Sequence, residues 1–68
     1  MTLIEKVKAA DAIEWMGDSY VYLGEYDIIE GLHQFKLKGE YVYERLYVSE
    51  IEKYCNSGTM KLYKMVEL

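Results

Sequence analysis

From residue 12 onward, apolar and polar residues alternate with a period of two, and the alternation breaks at isolated glycines. That pattern demands half-buried β-strands joined by tight turns. Ile13 and Trp15 alternate with Ala12, Glu14 and Met16; Gly17-Asp18 then offers a glycine-first two-residue turn. Tyr20 and Tyr22 follow, alternating with Val21 and Leu23. A loop at 17–18 sets Trp15 opposite Tyr20 and Ile13 opposite Tyr22. A loop at Glu30-Gly31 sets Tyr26 opposite Phe35, Ile28 opposite His33, and Glu25 opposite Lys36 as a cross-strand charge pair. A loop at Lys38-Gly39 sets Phe35 opposite Val42 and His33 opposite Glu44.

These registers agree on one core face: Ile13, Trp15, Tyr20, Tyr22, Tyr26, Ile28, Phe35, Leu37, Val42, Leu46 and Val48. A one-residue slip at any hairpin would send its apolar set to the other side. The sensitive point is Lys38-Gly39-Glu40. A three-residue loop there would turn Tyr41, Tyr43 and Tyr47 inward.

Helices flank the alternating region. Thr2-Leu3-Ile4-Glu5 fits a capping box, and Leu3, Val7 and Ala10 continue at helical spacing until Glu14 breaks the stripe. The helix is expected to end near Ala10 or Asp11, the alternative being a longer helix to a Gly17 cap. Ser49-Glu50-Ile51-Glu52 reads as a second capping box opening a short helix over 50–56, closed by Gly58 or Asn56. Thr59 to Val66 reads as a final strand.

The order is thus a helix, four strands in a meander, a helical turn and a last strand: an α+β, mostly β chain. In element order it resembles SH3-like and Sm-like small barrels. The alternative is an open antiparallel sheet with the N-terminal helix packed on one face. The chain's 68 residues suit a single small domain, 1–68. At that size burial barely offsets chain entropy, and oligomerisation is a common remedy, so a homodimer is an expectation of size alone. No apolar run approaches the length of a membrane span, and the charged start (Glu5, Lys6, Lys8) is unlike a signal peptide. The single Cys suits a reducing cytoplasm.

The net charge of −4 is unevenly placed. Between Lys8 and Lys36 there is no cation, while Asp11, Glu14, Asp18, Glu25, Asp27 and Glu30 fall there; residues 36–64 hold six cations against four carboxylates. A field of one sign steers partners of the other, so Glu25, Asp27 and Glu30 are candidates to contact a basic surface on a larger protein. Direct nucleic-acid binding is disfavoured, because the basic footprint is missing.

The tyrosines divide. Tyr20, Tyr22 and Tyr26 belong to the expected core face. Tyr41, Tyr43, Arg45 and Tyr47 form an outward stripe beside Gln34 and Lys36, of the residue types enriched at interface hot spots. The same stripe could serve self-association.

The chemistry-bearing residues are few. His33 and Cys55 are the only histidine and cysteine, and no nucleophile motif surrounds Cys55. Zinc needs more Cys and His ligands, the acids do not follow a calcium-loop spacing, and no phosphate-binding glycine loop occurs. No cofactor is expected. The leading expectation is a non-enzymatic protein-binding module that inhibits or modulates a larger partner. In size and charge it resembles small acidic phage and mobile-element proteins that block nucleases or defence complexes. The alternative is a structural subunit that self-associates through the Tyr stripe, and a third reading is a small enzyme using His33 or Cys55.

Overall fold

The computed structural model describes residues 2–64. Its elements are α1 (Leu3–Ala9), β1 (Ala12–Trp15), β2 (Asp18–Asp27), β3 (Leu32–Leu37), β4 (Tyr43–Tyr47), α2 (Val48–Asn56) and β5 (Met60–Tyr63). The fold is α+β and mostly β. Thr2 caps α1 with its hydroxyl on the Glu5 amide (3.2 Å), and Glu5 reaches back to Thr2. The helix stops at Ala9, and residues 12–15 enter the sheet, so the longer helix to Gly17 does not form.

The five strands form one antiparallel sheet in the order β4-β3-β2-β1-β5. β4 and β5 are its two edges, and the sheet does not close into a barrel; the open-sheet alternative describes it. α2 carries the chain from one edge strand to the other and buries Ile51 fully in the core. α1 places Val7 on the same core. The core is Val7, Ile13, Trp15, Tyr20, Phe35, Leu46, Ile51 and Met60, with Tyr22, Leu37, Tyr54 and Leu62 packed against it. Trp15 lies between the rings of Tyr20 and Tyr54, at centroid distances of 5.4 and 5.3 Å.

Every hairpin register differs from expectation, and each primary offset is an even number of residues. The first turn is Met16-Gly17, pairing Trp15 with Asp18 and Ile13 with Tyr20. φ is positive at both positions, 53° and 82°, the signature of a type I′ turn, whose twist suits a hairpin. In the second hairpin Tyr22, not Tyr26, faces Phe35. In the third, Lys36 faces Tyr43 and Phe35 faces Glu44. An even offset keeps the same residues on the same side, so Ile13, Trp15, Tyr20, Phe35 and Leu46 are buried as expected.

Tyr26 and Ile28 are corrections: both are exposed, Tyr26 because β2 is bulged ahead of it at Tyr22/Gly24, and Ile28 because it lies past the end of β2 in the turn to β3. A bulge adds a residue and reverses the alternation beyond it. Val42 and Val48 are also exposed, one in the β3–β4 connection and the other opening α2. The expected Glu25–Lys36 pair is absent; Lys36 faces Val21, and Glu25 lies 4.0 Å from Lys8 of α1. His33 faces Leu46 rather than Glu44. α2 begins at Val48 with Tyr47 as N-cap; Glu50, not Glu52, reaches back, accepting from the Tyr47 amide at 3.0 Å. Of the expected last strand, Met60–Tyr63 is observed, while Met65 and Val66 lie outside the described residues.

Candidate functional site

With both helices on one face, the other face of the sheet is open. Alternation along edge strand β4 puts Glu44 and Leu46 toward the core, and Tyr43, Arg45 and Tyr47 on the open side. Across the β3–β4 ladder these meet Lys36, Gln34 and Leu32 respectively. Tyr41 lies beyond the strand in the β3–β4 connection, almost wholly exposed, and the Lys36 ammonium sits 5.4 Å from its ring centroid. The expected stripe of Tyr41, Tyr43, Arg45 and Tyr47 is therefore assembled on the open side. The β3–β4 connection spans residues 38–42 rather than two, and the even change of register leaves the stripe outward.

Tyr26 was missing from that expectation. The bulge at Tyr22/Gly24 turns it from the core side to the open side, where the Arg45 guanidinium stacks 3.9 Å from its ring centroid. Such a contact stabilises by about 0.5–1 kcal/mol at an exposed site and holds a long side chain in one place. The sequence did carry a signal for it: Gly24, inside an otherwise continuous strand pattern, marks a bulge, and its φ of 115° is one that side-chain-bearing residues rarely adopt.

The open side also gathers charge. By register it receives Lys36, Arg45 and Lys61 as cations and Glu14 and Asp27 as acids, Glu14 being the partner of Lys61 and Asp27 that of Leu32. This side of an acidic protein is therefore its basic one. Tyr63, beside Ala12 on the opposite edge, completes an open surface bearing tyrosines at both margins.

Of Glu25, Asp27 and Glu30, only Asp27 falls on the open side, opposite Leu32 at the end of β2. Glu25 shares the helix-bearing side with its partner Lys8. Asp27 is committed to the β2–β3 turn, where its Oδ1 accepts from the amides of Ile29 (3.0 Å) and Glu30 (3.1 Å). Glu30 lies in that turn, and Asp18 follows the turn at the far end of β2. The acidic stretch thus wraps around the sheet.

His33 is buried, and its Nδ1 lies 2.8 Å from the Tyr22 hydroxyl. Burial raises the Tyr22 phenol above its usual range, with Glu25 adding to the shift. Tyr20 is raised by burial first and by Glu44 and Asp18 second. Burial also raises the Cys55 thiol, which keeps it in the less nucleophilic form. Among the described residues no cluster of three or more His, Cys, Asp or Glu side chains could hold a metal ion, and no helix is long and apolar enough to cross a membrane.

Compared with family models, curated proteins and solved structures, the chain matches none.

Proposed function

We propose that this protein is a non-enzymatic binding module that docks on a larger protein and modulates it, using the open face of its sheet. The observation that supports the reading is the held stripe of Tyr43, Arg45 and Tyr47, with Tyr26 stacked under Arg45 and Tyr41 over Lys36. Rigid aromatic rings and an ordered guanidinium supply contact area at low entropic cost, which is why they dominate binding energy at interfaces. Lys36 and Arg45 suit carboxylates and aromatic rings opposite the stripe. Glu25, Asp27 and Glu30 suit basic groups on the partner and would steer its approach. Inhibition of a nucleic-acid-handling or defence protein, as by small acidic phage and mobile-element proteins, is the finer form of the proposal; the compartment proposed is the cytoplasm. Self-association through the same stripe is the competing form.

The test is comparative capture from the native host's lysate with three baits. These are the wild type, a Tyr43→Ala/Tyr47→Ala variant, and a Glu25→Gln/Asp27→Asn/Glu30→Gln variant, each checked for fold by circular dichroism. A protein retained by the wild type should be lost from the stripe variant. The acidic variant should retain it more weakly, with a shallower dependence on salt. Equal retention by the stripe variant would remove the open face from the account.

A further inference from the structure

The β2–β3 turn ends in Ile28 and Ile29, exposed to 80% and 96%. Two adjacent β-branched apolar side chains so fully in solvent are unusual, and their turn is well held. Asp27 Oδ1 accepts from the Ile29 and Glu30 amides, and the Gly31 amide donates to the Asp27 carbonyl at 2.8 Å. The apolar pair is thus presented on a fixed tip, flanked in sequence by the carboxylates of Asp27 and Glu30.

On another part of the same molecule, the end of α1 and edge strand β5 enclose a groove of about 280 Å³. Its walls are Ala9, Ala10, Leu62 and Tyr63, and Lys6 and Lys64 stand along it. The groove is at or below the lower limit of small-molecule sites, about 300–1,000 Å³, and suits a few aliphatic side chains. Tip and groove match in two independent respects. One is an apolar projection between two carboxylates; the other is an apolar recess between two ammonium groups.

We propose that the Ile28–Ile29 tip of one molecule seats in the α1/β5 groove of a second copy, with Asp27 and Glu30 set against Lys6 and Lys64. The two surfaces belong to different elements, so each copy carries one plug and one recess. Its recess lies at the β5 edge, away from the β4 edge that carries Tyr43 and Arg45, so it differs from self-association through the tyrosine stripe and stands or falls separately from the function proposed above.

The experiment is sedimentation velocity of the purified full chain from low micromolar to millimolar concentration. The wild type should show a sedimentation coefficient that rises with concentration. The tip variant Ile28→Ser/Ile29→Ser alters only exposed side chains and should weaken association at least tenfold. The groove variant Ala9→Glu should do the same, and Lys6→Glu, which fills no space, guards against a packing artefact. A mixture of the tip and groove variants should form a one-to-one pair and nothing larger, because one intact plug meets one intact recess. Lys6→Glu mixed with Glu30→Lys should associate more tightly than either alone. A monomer at every concentration would overturn the proposal. So would association that survives the tip variant, or a mixture that stays monomeric while the wild type associates.

Discussion

Met16 holds φ at 53° in the first turn, a left-handed conformation that costs a residue with a side chain about 1–2 kcal/mol. Its side chain is well exposed and is absent from the core. Asn tolerates that conformation far better, and Asn-Gly is the preferred type I′ pair. Met16→Asn should therefore raise stability by about 0.5–1 kcal/mol, seen as a melting temperature about 2–8 °C higher in a domain of this size. The opposite effect is expected at Tyr22. Its hydroxyl is the partner of buried His33 Nδ1, and Tyr22→Phe leaves that nitrogen unsatisfied. A loss of about 1–3 kcal/mol in denaturant unfolding follows, whereas Tyr41→Phe, at an almost fully exposed site, should change little. His33 was expected to face Glu44. Its real partner is not legible in the sequence, because a histidine on an inward face is served by whichever hydroxyl the register brings to it, and at Phe35 the β2–β3 register differs from expectation by four residues.

The elements show why the core was legible while the turns were not. Glycine at 17 can serve as first or second residue of a two-residue turn, and local chemistry does not choose between them. The choice comes from the sheet, in which Ile13 must sit between Tyr20 on one side and Leu62 on the other. Since the competing registers differ by even steps, alternation alone identifies Ile13, Trp15, Phe35 and Leu46. It fails at Gly24, where a bulge reverses the sides and brings Tyr26 to the stripe. α2 links the two edge strands of the sheet. Ile51 is its fully buried contact, so Ile51→Ala should cost about 2–5 kcal/mol, a large part of the stability of so small a domain. Asp27→Ala should act locally instead. It removes the acceptor for two turn amides, and amide exchange at Ile29 and Glu30 should quicken while exchange in β1 and β5 stays unchanged.

At the scale of the molecule, one sheet separates two environments. The helix side holds the apolar core with the buried rings of Tyr20 and Tyr22, and the open side holds the exposed tyrosines with Lys36, Arg45 and Lys61. The buried phenols titrate above the usual value of about 10, while in the unfolded chain they lose their protons near it. Their contribution is therefore fully present below about pH 10 and lost as pH rises through the raised values, so the denaturant midpoint should fall as pH rises above about 10. The net charge in the sequence concealed this division. Its acidic run is contiguous along the chain but wraps around the fold, whereas Lys36, Arg45 and Lys61, far apart in sequence, share a face because β3, β4 and β5 place them there. Whether that face binds is tested most directly by titrating the captured partner into isotope-labelled protein and following backbone amide shifts. The account predicts the largest changes at Val21, Gln34, Lys36, Tyr43, Arg45 and Tyr47, with α1 and α2 unmoved. Changes confined to the two helices, with those strands silent, would contradict it.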